Sequence, residues 1–192
     1  SWQNYMYETL SISGNGFAND ETGAWDMGQA NRETVEYGSD KYENSLISWT
    51  GRVTYAYKDR YLLTATARYD GSSRFGENNK WGFFPSIGLA WRASEEKFLA
   101  GNKVITNLKV RGSFGVTGNQ EIGNYKSLAQ LKVDNYIYND TEIQGFYETI
   151  GNPDLKWERA NQFDIGIDLS LWNRIHVTAD YYHRKTSDLL YN

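Results

Sequence analysis

The chain has two histidines and no cysteine, which excludes disulfides, thiolate nucleophiles and cysteine-ligated metals. His176 and His183 are seven residues apart in a segment that alternates apolar and polar residues. An odd separation puts them on opposite faces of a strand, where they cannot share a metal ion. No serine stands in a nucleophile-elbow sequence. Glu95 and Glu96 are adjacent and cannot flank a scissile bond from one element; they read as solvated charge at a helix start. Gly14-Asn15-Gly16 lacks the strand before and the helix after that a phosphate loop needs. These residues predict no enzyme, no metal and no cofactor.

What remains is aromatic chemistry. Aromatic residues make up 16% of the chain, with 15 Tyr and 7 Trp against 8 Phe. Tyr and Trp combine an apolar body with a polar tip, which suits an oil–water boundary and also a surface that stacks on sugar rings. Phe75, Tyr125, Tyr136, Tyr138, Phe146 and Tyr147 fall in two long polar connections. With Asn119 they are the candidate contacts for a ligand or a covering partner, and the alternative is that they pack their own loops. Asp70-Gly71-Ser72-Ser73-Arg74 has the composition of a site, but Asp-Gly is a turn signal, and Arg74 is expected to pair with Asp70.

The elements that must position these residues are read from period-two alternation. Residues 45–57 place Ile47, Trp49, Val53, Tyr55 and Tyr57 on one face, with Ser48, Thr50, Arg52 and Thr54 on the other. Lys58-Asp59-Arg60 turns the chain into 61–70, and further strands are expected at 81–92, 107–116, 161–171 and 175–184. Ser94–Leu99 looks like a capped short helix. Residues 117–160 form a long excursion with room for short strands. Residues 1–44 carry eight Asp/Glu and two Lys/Arg and read as a polar, acidic loop region with a possible partial strand.

The net charge of −4, with no basic stripe, argues against nucleic acid as a partner. Mean hydropathy is −0.68, and no apolar run is long enough for a membrane helix; a β-barrel is not excluded, because its apolar residues alternate with polar ones. Three features favour one. The strands alternate over about 10–13 residues, longer than the soluble average and long enough to cross hydrocarbon when tilted. Short turns alternate with long loops, as periplasmic turns do with extracellular loops. Aromatics cluster at strand ends, like an interfacial girdle. The fold class expected is therefore all-β, an antiparallel up-and-down transmembrane β-barrel segment. Val53, Ala65, Leu89, Val110, Ile165 and Val177 are expected to face lipid. Arg52, Arg68, Lys109, Arg111, Asp164, Asp168 and Asp180 are expected to face the lumen, chiefly in cross-strand pairs. Six strands leave two open edges that lipid cannot satisfy, so a longer parent chain is expected. The rival readings are a soluble carbohydrate-binding β-module and a small outer-membrane adhesin or porin.

Five blocks sharpen this. Asp59 through Gly76 (DRYLLTATARYDGSSRFG), Lys80-Trp81-Gly82-Phe83-Phe84-Pro85-Ser86 and Leu108 through Gln120 (LKVRGSFGVTGNQ) are three of them. Asn152-Pro153-Asp154-Leu155-Lys156-Trp157-Glu158 and Asp180 through Leu190 are the others. Over residues 45–192 the chain resembles the SusC/RagA family of TonB-linked outer-membrane transporters. The resemblance implies a 22-stranded parent barrel with an N-terminal plug, in the outer membrane of a Bacteroidota-type bacterium. It implies import of oligosaccharides or peptides under a SusD-like surface lipoprotein, driven through the TonB complex. Neither a plug nor a TonB box is recognisable in these residues, so the chain is expected to be barrel wall.

Overall fold

The computed structural model describes residues 1–19, 21, 25–139 and 141–191. Among the described residues nine strands form: β1 (Trp2–Ser13), β2 (Glu36–Tyr57), β3 (Tyr61–Ser72), β4 (Trp81–Arg92), β5 (Ile105–Asn119), β6 (Gln130–Tyr138), β7 (Thr141–Thr149), β8 (Glu158–Leu171) and β9 (Ile175–Ser187). Seven make one antiparallel meander, in the order β1-β2-β3-β4-β5-β8-β9, and β6 and β7 form a separate hairpin. No second layer packs on the meander among the described residues; each strand's main contacts are with its neighbours in the sheet. A soluble sandwich needs such a layer.

The local reasons are plain in the turns. Lys58 and Asp59 have φ of 51° and 53°, and Trp172 and Asn173 have φ of 52° and 53°. Two successive left-handed residues follow the right-handed twist of a hairpin. Each turn closes with one backbone bond, from Arg60 N–H to Tyr57 O and from Arg174 N–H to Leu171 O, both 3.0 Å. The connections 58–60, 93–104 and 172–174 lie at one end of the sheet, and 14–35, 73–80 and 120–157 at the other.

Two elements differ from expectation. Region 1–44, expected as a loop with at most a partial strand, holds all of β1 and the first part of β2, so the wall has seven strands rather than six. Its two strands pair residue for residue from Trp2↔Ile47 to Ser13↔Glu36, but Asn4 and Glu8, with Glu43 and Lys41 on the paired strand, interrupt the face of Trp2, Met6, Leu10 and Ile12, and the other face is polar or tyrosine. Backbone pairing survives there without the apolar alternation that marks a strand in sequence. The short helix expected at Ser94–Leu99 is a 3-10 turn at Ala93–Glu95, followed by further turns.

Register fixes the faces, because directly paired residues share one. Val53 pairs with Ala65, and Ala65 with Ile87; Leu89 pairs with Gly112, and Gly112 with Ile165; Val110 pairs with Ile167; Leu169 pairs with Val177. All lie on one face. Arg52, Arg68, Lys109, Arg111, Asp164, Asp168 and Asp180 lie on the opposite face.

Candidate functional site at the long-loop end

The long-loop end has its own small core. Phe75, Phe84, Val116, Ile122 and Trp157 bury one another, with Leu46, Leu155 and Leu190 packed around them. Trp157 is the centre. Its ring lies 5.1 Å from Phe75 and 5.2 Å from Phe84, the latter edge-on, and its indole N–H donates to Lys80 O at 2.9 Å. The Phe84 ring occupies the space that a Cβ at Gly82 or Gly118 would need. β4 and β5 stop pairing at Ser86↔Gly115. Beyond that point Arg159 reaches across from β8 to donate to Phe83 O at 3.1 Å, which satisfies a carbonyl that the ladder has released.

The candidate ligand contacts separate in this frame. Phe75 is 1% exposed, so its expected role as a ligand contact is corrected: it is a packing residue. Its burial needs Trp157, 82 positions along the chain, which no local pattern reveals. Asn119 is exposed, and its side-chain oxygen accepts the Glu121 N–H at 3.0 Å. Tyr125 is left-handed, with φ of 62°, and its hydroxyl accepts the Glu43 N–H of β2 at 2.9 Å. On the β6–β7 hairpin, register puts Tyr136, Tyr138 and Tyr147 on one face, with Ile143. Phe146 lies on the other face, with Leu131, Val133 and Ile137. These hairpin rings are all exposed.

Sequence reasoning misses a second aromatic group. Tyr42 stacks on Tyr7 at 4.8 Å and on Tyr5 at 6.3 Å, on the face that carries the charged residues. The available signal is the Tyr5/Tyr7 spacing, readable once residues 2–13 are recognised as a strand.

On the charged face the ionic groups mostly pair. Arg111 reaches Asp168 at 3.3 Å and, across Gly166 of β8, Asp180 at 2.7 Å. Asp164 accepts from Ser113 and Gln162, and Thr178 donates to Asp168 at 3.3 Å. Arg52 donates to Thr66 at 3.3 Å. Lys109 stands opposite Asp168 in register and forms no ion pair among the described residues. Arg68 holds Asp70 at 2.7 Å, with the Asp70 side chain 4% exposed. The expected Arg74–Asp70 pair is therefore replaced by Arg68–Asp70, since residues two apart on a strand share a face.

At the opposite end a different cluster forms. Glu96 accepts the Tyr61 hydroxyl at 2.7 Å and the Trp91 indole N–H at 3.4 Å, and it pairs with Arg60 at 3.3 Å. The Tyr61 hydroxyl above all, then Trp91 and Arg60, hold its carboxyl below the ordinary glutamate range, against some desolvation. Glu96 was expected to be solvated; its side chain is 16% exposed. Register places His176 opposite Ser170 and His183 opposite Phe163, on the two different faces. No set of three His, Cys, Asp or Glu side chains gathers as a metal site among the described residues.

A single-layer meander with one apolar face, one charged face and a looped, aromatic end matches known proteins closely. The model of the TonB-dependent receptor-like β-barrel family matches residues 2–192. TonB-dependent receptor P39 of Formosa agariphila is 42% identical over 195 residues, covering 100% of this chain and 18% of that protein. TonB-dependent receptor SusC of Bacteroides thetaiotaomicron is 41% identical over 165 residues, covering 83% of this chain and 16% of that protein. Among solved structures, the RagAB peptide transporter superposes with a TM-score of 0.81 at 31% identity, covering 98% of this chain and 21% of that one. This chain thus spans about a fifth of the length of these relatives. By fold, by face chemistry and by family match, the chain belongs to the TonB-dependent receptor β-barrels of the SusC/RagA type, which reside in the outer membrane.

Proposed function

We propose that this chain is a wall segment of a TonB-dependent importer that takes up oligosaccharides or peptides with a SusD-like surface lipoprotein as its lid. The observation that carries the reading is the uncovered single-layer sheet whose two faces differ in chemistry. In this reading the face of Val53, Ala65, Leu89, Val110, Ile165 and Val177 meets lipid, and the face of Arg52, Arg68, Lys109, Arg111, Asp164, Asp168 and Asp180 lines a wet lumen. Twelve residues of β3 or β4 extend roughly 40 Å and, tilted by about 45°, cross a hydrocarbon core. The short-turn end is then periplasmic and the long-loop end extracellular.

Cargo and lid meet the protein at the extracellular end. Tyr136, Tyr138 and Tyr147 offer one exposed aromatic face, which supports stacking on sugar rings or peptide side chains. Tyr125 and Asn119 border the same end. Phe146, with Leu131, Val133 and Ile137, offers an apolar face suited to protein contact. The solved relative RagAB is a peptide transporter, which supports peptide cargo; the aromatic faces suit either class. TonB engagement belongs to parts of the parent outside this chain.

The test is deletion of 124–148 in the full-length parent. Heat-modifiable folded protein is expected at the normal level, with uptake and lipoprotein capture lost. Unchanged uptake and capture would overturn the assignment of this end.

A further inference from the structure

A cavity of about 940 Å³ lies at the extracellular end between β1, β2 and the 122–125 segment. Its wall includes Tyr5, Tyr42, Tyr125, Asn44, Arg74 and Asn124. Three of these residues carry side-chain atoms that are shut off from solvent and have no hydrogen-bond partner: Asn44 Nδ2, Arg74 Nε and Asn124 Oδ1. They are the only such atoms among the described residues, and the three residues that carry them lie together in the wall of this cavity and of the smaller pocket beside it, with the atoms themselves just behind the surface.

Arg74 is the decisive member. Asp70, the nearest acid in sequence, is taken by Arg68 at 2.7 Å, and Arg74 forms no ion pair among the described residues. Its Nη1 donates to Gln120 O at 3.3 Å, while the Nε side of the fork has no partner. A half-buried guanidinium without a counter-ion is costly, and its planar fork is shaped for a carboxylate. Lys132 adds a second positive charge to the wall, whereas Lys41 is neutralised by Glu8. The one acid on the wall, Asp40, lies four residues along β2 from Asn44, roughly 13 Å away along the strand.

We propose that Arg74, with Asn44 as a second donor, forms a subsite for a carboxylate carried by the imported oligomer, and that the Asn124 oxygen accepts from a donor beside that carboxylate. The adjacent donor is an amide N–H in an acidic peptide or a hydroxyl in an acidic sugar, so the shared chemistry is a carboxylate flanked by a donor. Tyr5 and Tyr42 supply a flat wall beside it. Entry requires the 122–125 segment to yield at its bond between the Glu43 N–H and the Tyr125 hydroxyl. This inference rests on the import reading above and deepens it.

The experiment uses the full-length parent in detergent and two matched probe pairs: tetragalacturonate against its methyl ester, and an Asp-containing pentapeptide against its Asn counterpart. Within at least one pair the acid is expected to bind about tenfold more tightly. The responding pair identifies the source. Arg74→Gln should erase the preference, bringing the acid and neutral members of the pair to similar affinities, and Arg74→Lys should restore only part of it, since an ammonium lacks the fork. Asn44→Ala should reduce the preference by a smaller factor. If the parent binds neutral and acidic members alike, or if the preference survives Arg74→Gln, the carboxylate subsite is wrong and water or another part of the parent satisfies Arg74. The wild-type comparison decides the matter even if the variants fail to assemble. Binding of none of the four probes would overturn the carboxylate subsite, while the import reading is decided separately by the deletion of 124–148.

Discussion

Apolar side chains point in opposite directions in two parts of this chain. At the extracellular end, Phe75, Phe84, Val116, Ile122 and Trp157 turn in on one another and leave almost no surface. In the wall, Val53 is 65% exposed and Leu89 57% exposed, with Ile165 and Val177 close to half. The first region buries its hydrocarbon with its own atoms, as a water-soluble domain does. The second leaves its hydrocarbon to be covered by something outside the chain. The crown draws Phe75, Ile122 and Trp157 from connections and only Phe84 and Val116 from strands, so the two regions differ in backbone as well as in how their side chains are covered. Water drives the crown together, whereas in the proposed reading the wall's apolar face is covered by lipid.

This contrast breaks most sharply at Phe75. Removing a fully buried ring costs about 3–5 kcal/mol, and because the crown packs above the membrane the loss should stay local. Phe75→Ala in the full-length parent is expected to open the 120–157 region to protease while the barrel still migrates as a folded band. Loss of the folded band would show that the crown is part of the wall's stability and that the two regions are not separable. The wall breaks in the opposite way. Val53→Arg or Ile165→Arg should cost about 2–4 kcal/mol at mid-bilayer depth, whereas Thr66→Arg or Thr178→Arg, on the charged face, should be tolerated. Folded fraction in a urea titration in lipid vesicles separates the two pairs. Equal losses for both would remove the distinction between a lipid face and a lumen face.

Legibility in the sequence follows the same divide. β4 is legible with its observed bounds, and β3, β5, β8 and β9 to within a few residues at each end, because lipid on one side and water on the other impose a period of two on every residue of a spanning strand. Above the membrane that constraint lapses. Asn4 and Glu8 interrupt what would be the apolar row of β1, with Tyr5 and Tyr7 on its other face, so a fully paired strand reads as loop. Phe75 misleads for a related reason: its partners arrive from β4, β5 and the segment before β8, and nothing near it in sequence announces them. Proximity along the chain pairs Arg74 with Asp70, but Arg68 shares Asp70's face and wins. The charged face is legible as a face, while the particular pairs are not. Arg111 chooses Asp180 across an intervening strand, at a glycine that leaves room for it.

The periplasmic rim sharpens the comparison at its smallest expected effect, because there a charge is satisfied by the polar tips of the aromatic belt. Glu96 accepts from Tyr61 and Trp91 and pairs with Arg60, and these partners hold its carboxyl below the ordinary glutamate range. A carboxyl depressed by folding adds stability that is present above its unfolded value and is lost as pH falls through its folded one. Glu96→Gln keeps one acceptor oxygen for Tyr61 and Trp91 but removes the charge and the oxygen that accepts from Arg60. The variant should therefore lose its folded band at a slightly lower temperature than the wild type at pH 7. The two should converge as pH falls below the normal range of glutamate. Thermal melts of the detergent-solubilised parent at a series of pH values read this directly. A gap that persists undiminished in acid would mean that the Gln side chain disturbs the packing of Trp91 and Tyr61, and that the rim is held by shape alone. A gap that closes would mean that this end of the wall, unlike the crown, is fastened by one ionised group placed where the belt meets water.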